Sequence, residues 1–158
     1  FYVEDMVWPS LTHRAKETAI SEKTGRIKRK KRFGKSVANK APATLIGILE
    51  QKCNSLGLPG VTKVPTSLRA SQYNHQSGEY TSKPLSQRWN NMPDGERIQR
   101  DLYSAFLLQH YDPQAGNFDS ELLQQDYPQF VQYHHRAIQR LSAVPKTLSS
   151  MGIQRSLR

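Results

Sequence analysis

The stretch that decides the fold is residues 41–66, APATLIGILEQKCNSLGLPGVTKVPT. Pro42 suits the first turn of a helix, because the N–H that proline lacks has no partner there in any case. Gly57 then supplies a typical C-terminal stop. Between them, apolar side chains recur at helical spacing; these are Leu45, Ile48, Leu49, Cys53 and Leu56. The pattern predicts a helix over 42–56, with Cys53 packed in the core rather than acting as a reactive thiol.

Two short apolar runs flank this helix and predict strands. Residues 61–66 contain β-branched residues bounded by Pro59-Gly60 and Pro65, which is typical of a short strand. Residues 1–6 form an apolar run that meets the acids Glu4 and Asp5, and we expect it to be the end of a buried strand. A strand, a connection, a helix and a second strand predict an α/β arrangement.

The second half of the chain has a turn-rich stretch followed by two helical patterns. Residues 67–96 are rich in Asn, Gly and Pro, so we expect a loop or insertion with short strands at most. Residues 99–110 have an apolar helical face that ends at Asp112-Pro113. Residues 121–141 are predicted to be helical in two pieces around Pro128, because proline interrupts a helix.

Charge and composition point to a polyanionic partner. The 158 residues include 23 Lys and Arg against 13 acidic residues, a formal net charge of +10. Such a surplus favours nucleic acid, because neutralising phosphates releases condensed counterions. No apolar run approaches a membrane span or a signal peptide, so we expect no membrane partner. Cys53 is the single cysteine, which excludes an internal disulfide and favours the cytoplasm.

The strongest local concentration of positive charge lies in residues 23–35, which contain no acid. Like charges this dense repel one another, so the segment is predicted to be an arm that orders on an anion. A solvated surface or a localisation-like tract is the alternative. The predicted nucleic-acid contacts are Lys23, Arg26, Lys28, Arg29, Lys30, Lys31, Arg32 and Lys35, together with Arg88 and Arg100.

Two carboxylates occupy positions from which catalytic groups are often presented. Glu4 ends the first predicted strand, and Asp101 opens the helix after the turn-rich stretch, 97 positions later (101 minus 4). If the fold brings them together, their oxygens suit a hard cation such as Mg²⁺. An acid in the first turn of a helix is also a common compensation for the helix dipole, so spacing alone leaves both interpretations open for Asp101.

The chain resembles a family of nucleases in three short motifs that occur in the same order. Residues 1–5, Phe-Tyr-Val-Glu-Asp, resemble the second RuvC motif of TnpB-type transposon nucleases and their CRISPR type V relatives. Residues 70–73 and 84–89 resemble the stretch that carries the family's zinc ribbon, and residues 99–106 resemble its third RuvC motif. The resemblance covers about residues 1–110.

The resemblance implies an RNase H-like (RuvC) mixed sheet with flanking helices, incomplete in this chain, and a degenerate zinc-ribbon-like insertion. The expected parts are a RuvC-like part over 1–69, the insertion over 70–97, the third-motif helix over 98–111, and a C-terminal helical extension with a basic tail over 112–158.

The family's chemistry would be hydrolysis of DNA phosphodiester bonds by a two-metal mechanism using Mg²⁺ or Mn²⁺. Carried over residue by residue, Glu4 and Asp101 become the metal-binding catalytic carboxylates. The family's remaining Asp would have to precede Phe1, so the chain is expected to be part of a longer prokaryotic cytoplasmic protein and inert alone; a trimmed N-terminus is the alternative. The implied partners are a guide RNA, target DNA and the N-terminal part of the same protein.

The chain departs from the family at the zinc ribbon. The family ordinarily has two Cys pairs in the region that matches 73–95, whereas this region contains no cysteine. His75, Glu79, Asp94 and Glu96 are too few and too hard to replace four thiolates, so we expect no zinc.

Other residues of this half have two possible roles each. Arg100 could pair with Asp101 or reach a phosphate. Tyr73, Tyr80 and Trp89 could stack on bases, although Trp89 could equally anchor the insertion. Of the adjacent pair His134-His135, we expect one to be packed and one exposed rather than both to bind a metal.

Three functions follow from these observations. The first is part of an RNA-guided, metal-dependent DNA endonuclease. The second is a nuclease-dead, RNA-guided DNA-binding protein, which a family member without zinc could have become. The third is a basic RNA-binding accessory module, which predicts that Glu4 and Asp101 lie far apart.

Overall fold

The computed structural model describes residues 1–8, 18, 20–27, 41–144 and 151–153. The chain divides into two compact units. The first comprises Phe1 and Asp5–Thr62, and the second comprises Tyr2–Glu4 with Lys63–Arg158. The described residues are mixed α/β, with helices and several two-stranded sheets.

The first unit contains helix α1, Pro42–Ser55. The predicted helix over 42–56 is confirmed, with proline in the first turn as the sequence indicates. Gly57 adopts a φ of 64°, a left-handed conformation that ends the helix at low steric cost. Cys53 is the buried residue of this helix, which confirms its packing role.

Strands β1, Tyr2–Glu4, and β2, Thr62–Val64, form a two-stranded sheet. The prediction of strands in both places is confirmed, but the prediction that β1 is buried is wrong. Tyr2 is exposed, while Val3 and Glu4 are half-buried. Within the described residues β1 has one strand partner, so much of its surface stays accessible.

The turn-rich stretch forms two small β-hairpins. The first pairs β3, Tyr73–Asn74, with β4, Glu79–Tyr80. The second pairs β5, Trp89–Asn91, with β6, Arg97–Gln99. The expectation of short strands at most is therefore confirmed.

Helix α2, Arg100–Gln109, follows β6 directly. It confirms the helix predicted over 99–110, with Gln99 as the residue that caps its N-terminus. A third hairpin, which the sequence did not indicate, pairs β7, Tyr111–Asp112, with β8, Asn117–Phe118.

Helix α3, Ser120–Ala143, is continuous through Pro128. The prediction of two helical pieces is therefore wrong. Proline removes one intrahelical hydrogen bond and crowds the preceding turn. Core-facing side chains of α3 lie on both sides of Pro128. Leu123, Tyr127 and His134 are buried, and Phe130 packs against the core beside them. Tertiary packing on both sides of Pro128 outweighs the local cost.

One hydrophobic core holds the hairpins and the helices α2 and α3 together. Its buried members come from the insertion, both helices and β8: Ala70, Met92, Ile98, Tyr103, Phe106, Leu107, Phe118, Leu123 and Tyr127. The rings of Phe106 and Phe130 stack with centroids 4.4 Å apart, which joins α2 to α3. No helix among the described residues is long and apolar enough to cross a membrane.

Two adjacent leucines of α3 test this core directly. Leu123 is fully buried, whereas its neighbour Leu122 is 46% exposed. We expect Leu123→Ala to lower the free energy of unfolding by about 2–5 kcal/mol, because it removes buried methyl groups and leaves a cavity. The matched control Leu122→Ala should cost about 1 kcal/mol or less. Chemical denaturation measures both, and equal losses would contradict the described packing of α3.

Candidate functional site

The two predicted catalytic carboxylates are carried by elements that lie in contact. Glu4 is the last residue of β1, and Asp101 lies in the first turn of α2. β1 and α2 belong to the same compact unit and pack against each other. The fold therefore brings together two segments whose acids are 97 positions apart in sequence (101 minus 4).

Gln99 fixes the start of α2 and the carboxylate of Asp101. Its side-chain oxygen accepts a hydrogen bond of 2.8 Å from the backbone N–H of Leu102. Its amide nitrogen donates to Oδ2 of Asp101 at 3.2 Å and to the carbonyl of Met151 at 3.3 Å. Gln99 is fully buried, whereas its partners are partly exposed, so these bonds are partly shielded from water. Its role was not predicted from the sequence, because glutamine is not among the residues that usually cap a helix.

Arg100 lies on the other side of Asp101. Its Nε is 3.7 Å from Oδ1 of Asp101, and its Nη1 donates to the carbonyl of Pro84 at 3.2 Å. The arginine is buried whereas the Asp101 side chain is 51% exposed. Of the two roles predicted for Arg100, the ion pair with Asp101 is observed, and contact with a phosphate stays a prediction.

The oxygens of this pair of acids suit Mg²⁺ or Mn²⁺, the metals predicted from the sequence. Asp101 is accessible, and its two oxygens are oriented by an amide and a guanidinium. Within the described parts of the chain, no group of three or more His, Cys, Asp or Glu side chains is arranged to hold a metal ion. A metal site at Glu4 and Asp101 stays a prediction.

The predicted nucleic-acid arm is described only at its start. Lys23 and Arg26 are exposed on a turn closed by a bridge between Ile20 and Ile27. In this turn the N–H of Ser21 donates to the carbonyl of Arg26 at 2.9 Å. The remaining predicted contacts of the arm lie outside the described residues: Lys28, Arg29, Lys30, Lys31, Arg32 and Lys35.

The two hairpins of the insertion are joined by polar side chains of their turns. The amide of Gln76, in the first hairpin turn, donates to Oδ2 of Asp94, in the second, at 2.8 Å. Burial alone would raise the pKa of Asp94, but hydrogen bonds from Gln76 and from the backbone N–H of Glu96 outweigh it and lower that pKa. Asp94 was considered as a metal ligand from the sequence, whereas its partner Gln76 was missed.

His75 belongs to the core rather than to a metal site. Its Nδ1 is 2.7 Å from the hydroxyl of Tyr103, which also accepts a hydrogen bond of 3.0 Å from the His75 backbone N–H. Burial is the main cause that lowers the pKa of His75, with the nearby Asp94 opposing it. Burial also raises the pKa of Tyr103, so both groups are neutral at pH 7.

The adjacent histidines of α3 have different environments, as predicted. His134 is buried, and its Nε2 accepts a hydrogen bond of 3.0 Å from the backbone N–H of Gln99. His135 is exposed and lies 3.0 Å from the carboxylate of Glu96. The prediction of one packed and one exposed histidine is confirmed.

Two aromatic side chains of the hairpins make cation–π contacts with arginines. The guanidinium of Arg97 lies 4.9 Å from the centre of the Trp89 ring, and that of Arg69 lies 4.9 Å from the centre of the Tyr80 ring. Trp89 also donates from Nε1 to the carbonyl of Gly152 at 2.9 Å. This contact favours the anchoring role that was one of the two predicted for Trp89.

The close packing around Arg88 depends on the absence of a side chain at Gly152. Its φ is 69°, and a Cβ there would lie 2.6 Å from the Cβ of Arg88. Glycine therefore allows the segment Met151–Ile153 to pack closely on the start of β5. Arg88, a predicted nucleic-acid contact, is half-buried under this segment, and its carbonyl accepts from the backbone N–H of Arg100 at 2.9 Å.

Comparison with known proteins finds no matching family model, no matching curated protein and no matching solved structure. Function must therefore be inferred from the residues and their geometry.

The two buried histidines predict how stability depends on pH. Burial lowers the pKa of His75 and of His134 below the ordinary 6.5, so the unfolded chain takes up these protons at a higher pH than the folded chain. The free energy of unfolding should be highest above pH 6.5 and should fall as the pH drops towards the folded pKa values. Denaturation by urea at several pH values measures this.

A matched pair of variants assigns part of that effect to His134. We expect His134→Gln to weaken the pH dependence, because glutamine can accept the N–H of Gln99 without taking up a proton. His135→Gln, at the exposed neighbour, should change the dependence less, because burial lowers the pKa of His134 more than the charge of His135 does. An unchanged dependence in His134→Gln would contradict a role for burial of His134.

Proposed function

We propose that the chain is the C-terminal part of a RuvC-like nuclease domain in an RNA-guided, metal-dependent DNA endonuclease of transposon or CRISPR type. The observation that carries this proposal is the contact between β1 and α2, which bear Glu4 and Asp101. Both residues stand where the motifs of TnpB-type nucleases have catalytic acids, and a shared metal site requires the segments that carry them to meet.

The side chains around Asp101 support the proposal further. A first-turn acid that only compensates the helix dipole needs no specific partners. Here the fully buried Gln99 donates to one oxygen and the buried Arg100 lies near the other. These contacts restrict the rotamers of an exposed carboxylate, which is what a site that holds a metal ion in a defined position needs.

In the proposed reaction Glu4 and Asp101 would hold Mg²⁺ or Mn²⁺ together with a third acid from elsewhere in the protein. Bound divalent ions of this kind stabilise the attacking and leaving oxygens during phosphodiester hydrolysis. Gln99 acts as a positioning residue, because it orients Asp101 and caps the helix that carries it. A guide RNA would select the DNA by base pairing, while basic side chains hold the backbone.

The decisive experiment measures Mg²⁺-dependent cleavage of target DNA by the intact protein purified with its RNA. We expect Asp101→Asn to reduce the cleavage rate roughly 100-fold or more, the effect typical of removing one group that stabilises charge in the transition state. Glu121→Gln is the matched control, because Glu121 is also an acid in the first turn of a helix. It should cleave as the unchanged protein does.

The other outcomes distinguish the competing functions. Tight, RNA-dependent DNA binding without cleavage in any variant would identify a nuclease-dead binder. Equal cleavage by Asp101→Asn and the unchanged protein would contradict the catalytic role of Asp101. Denaturation of each variant shows whether the loss of the carboxylate beside buried Arg100 has destabilised the fold.

The basic segment 23–35 gives a second test of the same proposal. Replacing its Lys and Arg residues by Gln should weaken nucleic-acid binding and flatten its dependence on salt, by about 0.7–0.9 in the log–log slope for each phosphate that the segment no longer neutralises. Lys52→Gln, Arg136→Gln and Arg140→Gln change exposed cations on helices and serve as controls. An unchanged slope in the segment variant would contradict its assignment to nucleic acid.

A further inference from the structure

A segment of three residues, Met151–Ile153, binds the hairpin β5–β6 beside the start of α2. The register of this hairpin pairs Trp89 with Gln99, so their side chains are neighbours on the same face. Nε1 of Trp89 donates to the carbonyl of Gly152 at 2.9 Å. Nε2 of Gln99 donates to the carbonyl of Met151 at 3.3 Å. Two neighbouring donors of the hairpin thus bind two consecutive carbonyls of the segment.

Burial and close packing also fix this segment. Ile153 is only 2% exposed and anchors it by its apolar side chain. Gly152 has a φ of 69°, and a Cβ built there would lie 2.6 Å from Cβ of Arg88 and 3.1 Å from Nε1 of Trp89. Glycine meets both conditions at low cost, because it has no Cβ and adopts a positive φ readily. The segment is therefore fitted to the hairpin rather than laid loosely on its surface.

The side-chain amide of Gln99 connects the segment to Asp101. Its oxygen accepts from the backbone N–H of Leu102. Its nitrogen has two N–H groups and two acceptors, the carbonyl of Met151 and Oδ2 of Asp101. Gln99 is fully buried while the segment is in place. Without the segment, water would reach the amide and compete with Asp101 for the same N–H groups.

We propose that Met151–Ile153 is a positioning element for the candidate metal site, because it holds the Gln99 amide that orients the Asp101 carboxylate. The inference rests on the proposed function, since it concerns the metal ion that Asp101 would bind. Groups that orient a metal ligand without touching the metal typically change metal affinity or activity about 10- to 100-fold when they are lost. The segment would act through a backbone carbonyl, so its release is the informative change.

Two glycine variants test whether the segment is held as described. Gly152→Ala should release it, because the new Cβ has no space beside Arg88. Gly116→Ala is the matched control: Gly116 has a similar φ of 65°, but no atom of the described residues lies within 4 Å of a Cβ built there. Hydrogen exchange of the Trp89 indole N–H in the full chain, followed by nuclear magnetic resonance, reports release. We expect exchange roughly 10-fold faster or more in Gly152→Ala, and within about 2-fold of the unchanged chain in Gly116→Ala.

Binding of Mn²⁺ to the same proteins tests the connection to Asp101. Mn²⁺ is paramagnetic and broadens the resonances of nearby nuclei, so the backbone N–H of Leu102 reports a metal ion at the adjacent carboxylate. We expect Gly152→Ala to need roughly 10-fold more Mn²⁺ for half-maximal broadening than the unchanged chain. Gly116→Ala should differ by less than about 2-fold.

Trp89→Phe is a second variant that leaves Gly152 unchanged. It keeps an aromatic ring but removes the N–H that binds the carbonyl of Gly152. The bond from Gln99 to Met151 remains, so we expect a smaller effect, roughly 3- to 5-fold more Mn²⁺ for half-maximal broadening at Leu102. Thermal unfolding of each variant shows whether a loss of metal binding is a loss of fold.

Each outcome decides the inference. Faster exchange at Trp89 together with weaker Mn²⁺ binding in Gly152→Ala supports it. Faster exchange with unchanged Mn²⁺ binding would overturn it, because the segment would then have no influence on Asp101. Unchanged exchange in Gly152→Ala, or equal effects of Gly116→Ala, would overturn it as well.

The same measurements separate this inference from the nuclease proposal. Absence of broadening at Leu102 in the unchanged chain would contradict the metal site and, with it, the positioning role of the segment. Mn²⁺ binding that weakens in Gly152→Ala, without DNA cleavage by the intact protein, would support the positioning role and contradict the nuclease proposal alone.

Discussion

The buried side chain of Gln99 is the interaction on which the arrangement of this domain depends. It bonds to Leu102 and Asp101 at the start of α2 and to Met151 near the C-terminus, and its backbone N–H bonds to His134 of α3. Four parts of the chain thus meet at one residue of β6. Because a buried polar group left unpaired costs about 1–3 kcal/mol, these partners must be present together. The same hydrogen bonds orient Asp101. The position of this candidate catalytic carboxylate therefore depends on the contacts that the buried Gln99 makes.

The insertion shows how a pair of very short hairpins is stabilised without a thiolate-bound metal. Two-stranded hairpins are marginal alone and need further packing. Here Tyr103 of α2 holds the backbone and ring of His75 in the first turn, while Gln76 and Asp94 join the two turns directly. Tyr127 of α3 packs on the His75 ring at 4.7 Å. The helices α2 and α3 therefore hold the first turn, and the Gln76–Asp94 bond joins the second turn to it. These contacts stabilise a stretch that contains no cysteine.

Local patterns predicted the elements but not the contacts between them. The helices α1 and α2 and the short strands were predicted because caps, glycine stops and apolar spacing are encoded within a few residues. The continuity of α3 was not, because it depends on tertiary packing around Pro128 rather than on the proline itself. Gln99 and Gln76 were missed for a similar reason, since an amide reveals its role only through partners distant in sequence. The α/β class was predicted correctly, while the RNase H-like sheet stays a prediction.

Arg100 interacts electrostatically with both Asp101 and Lys83. Its buried guanidinium lies near Asp101 on one side, and its charge lowers the pKa of Lys83 on the other. The buried Arg100 guanidinium loses solvation by water, and a nearby negative charge must offset that loss. The exposed Asp101 carboxylate offsets it only in part. The buried guanidinium therefore links the charge of Asp101 to that of Lys83, so a change of charge at either residue alters the electrostatic environment of Arg100.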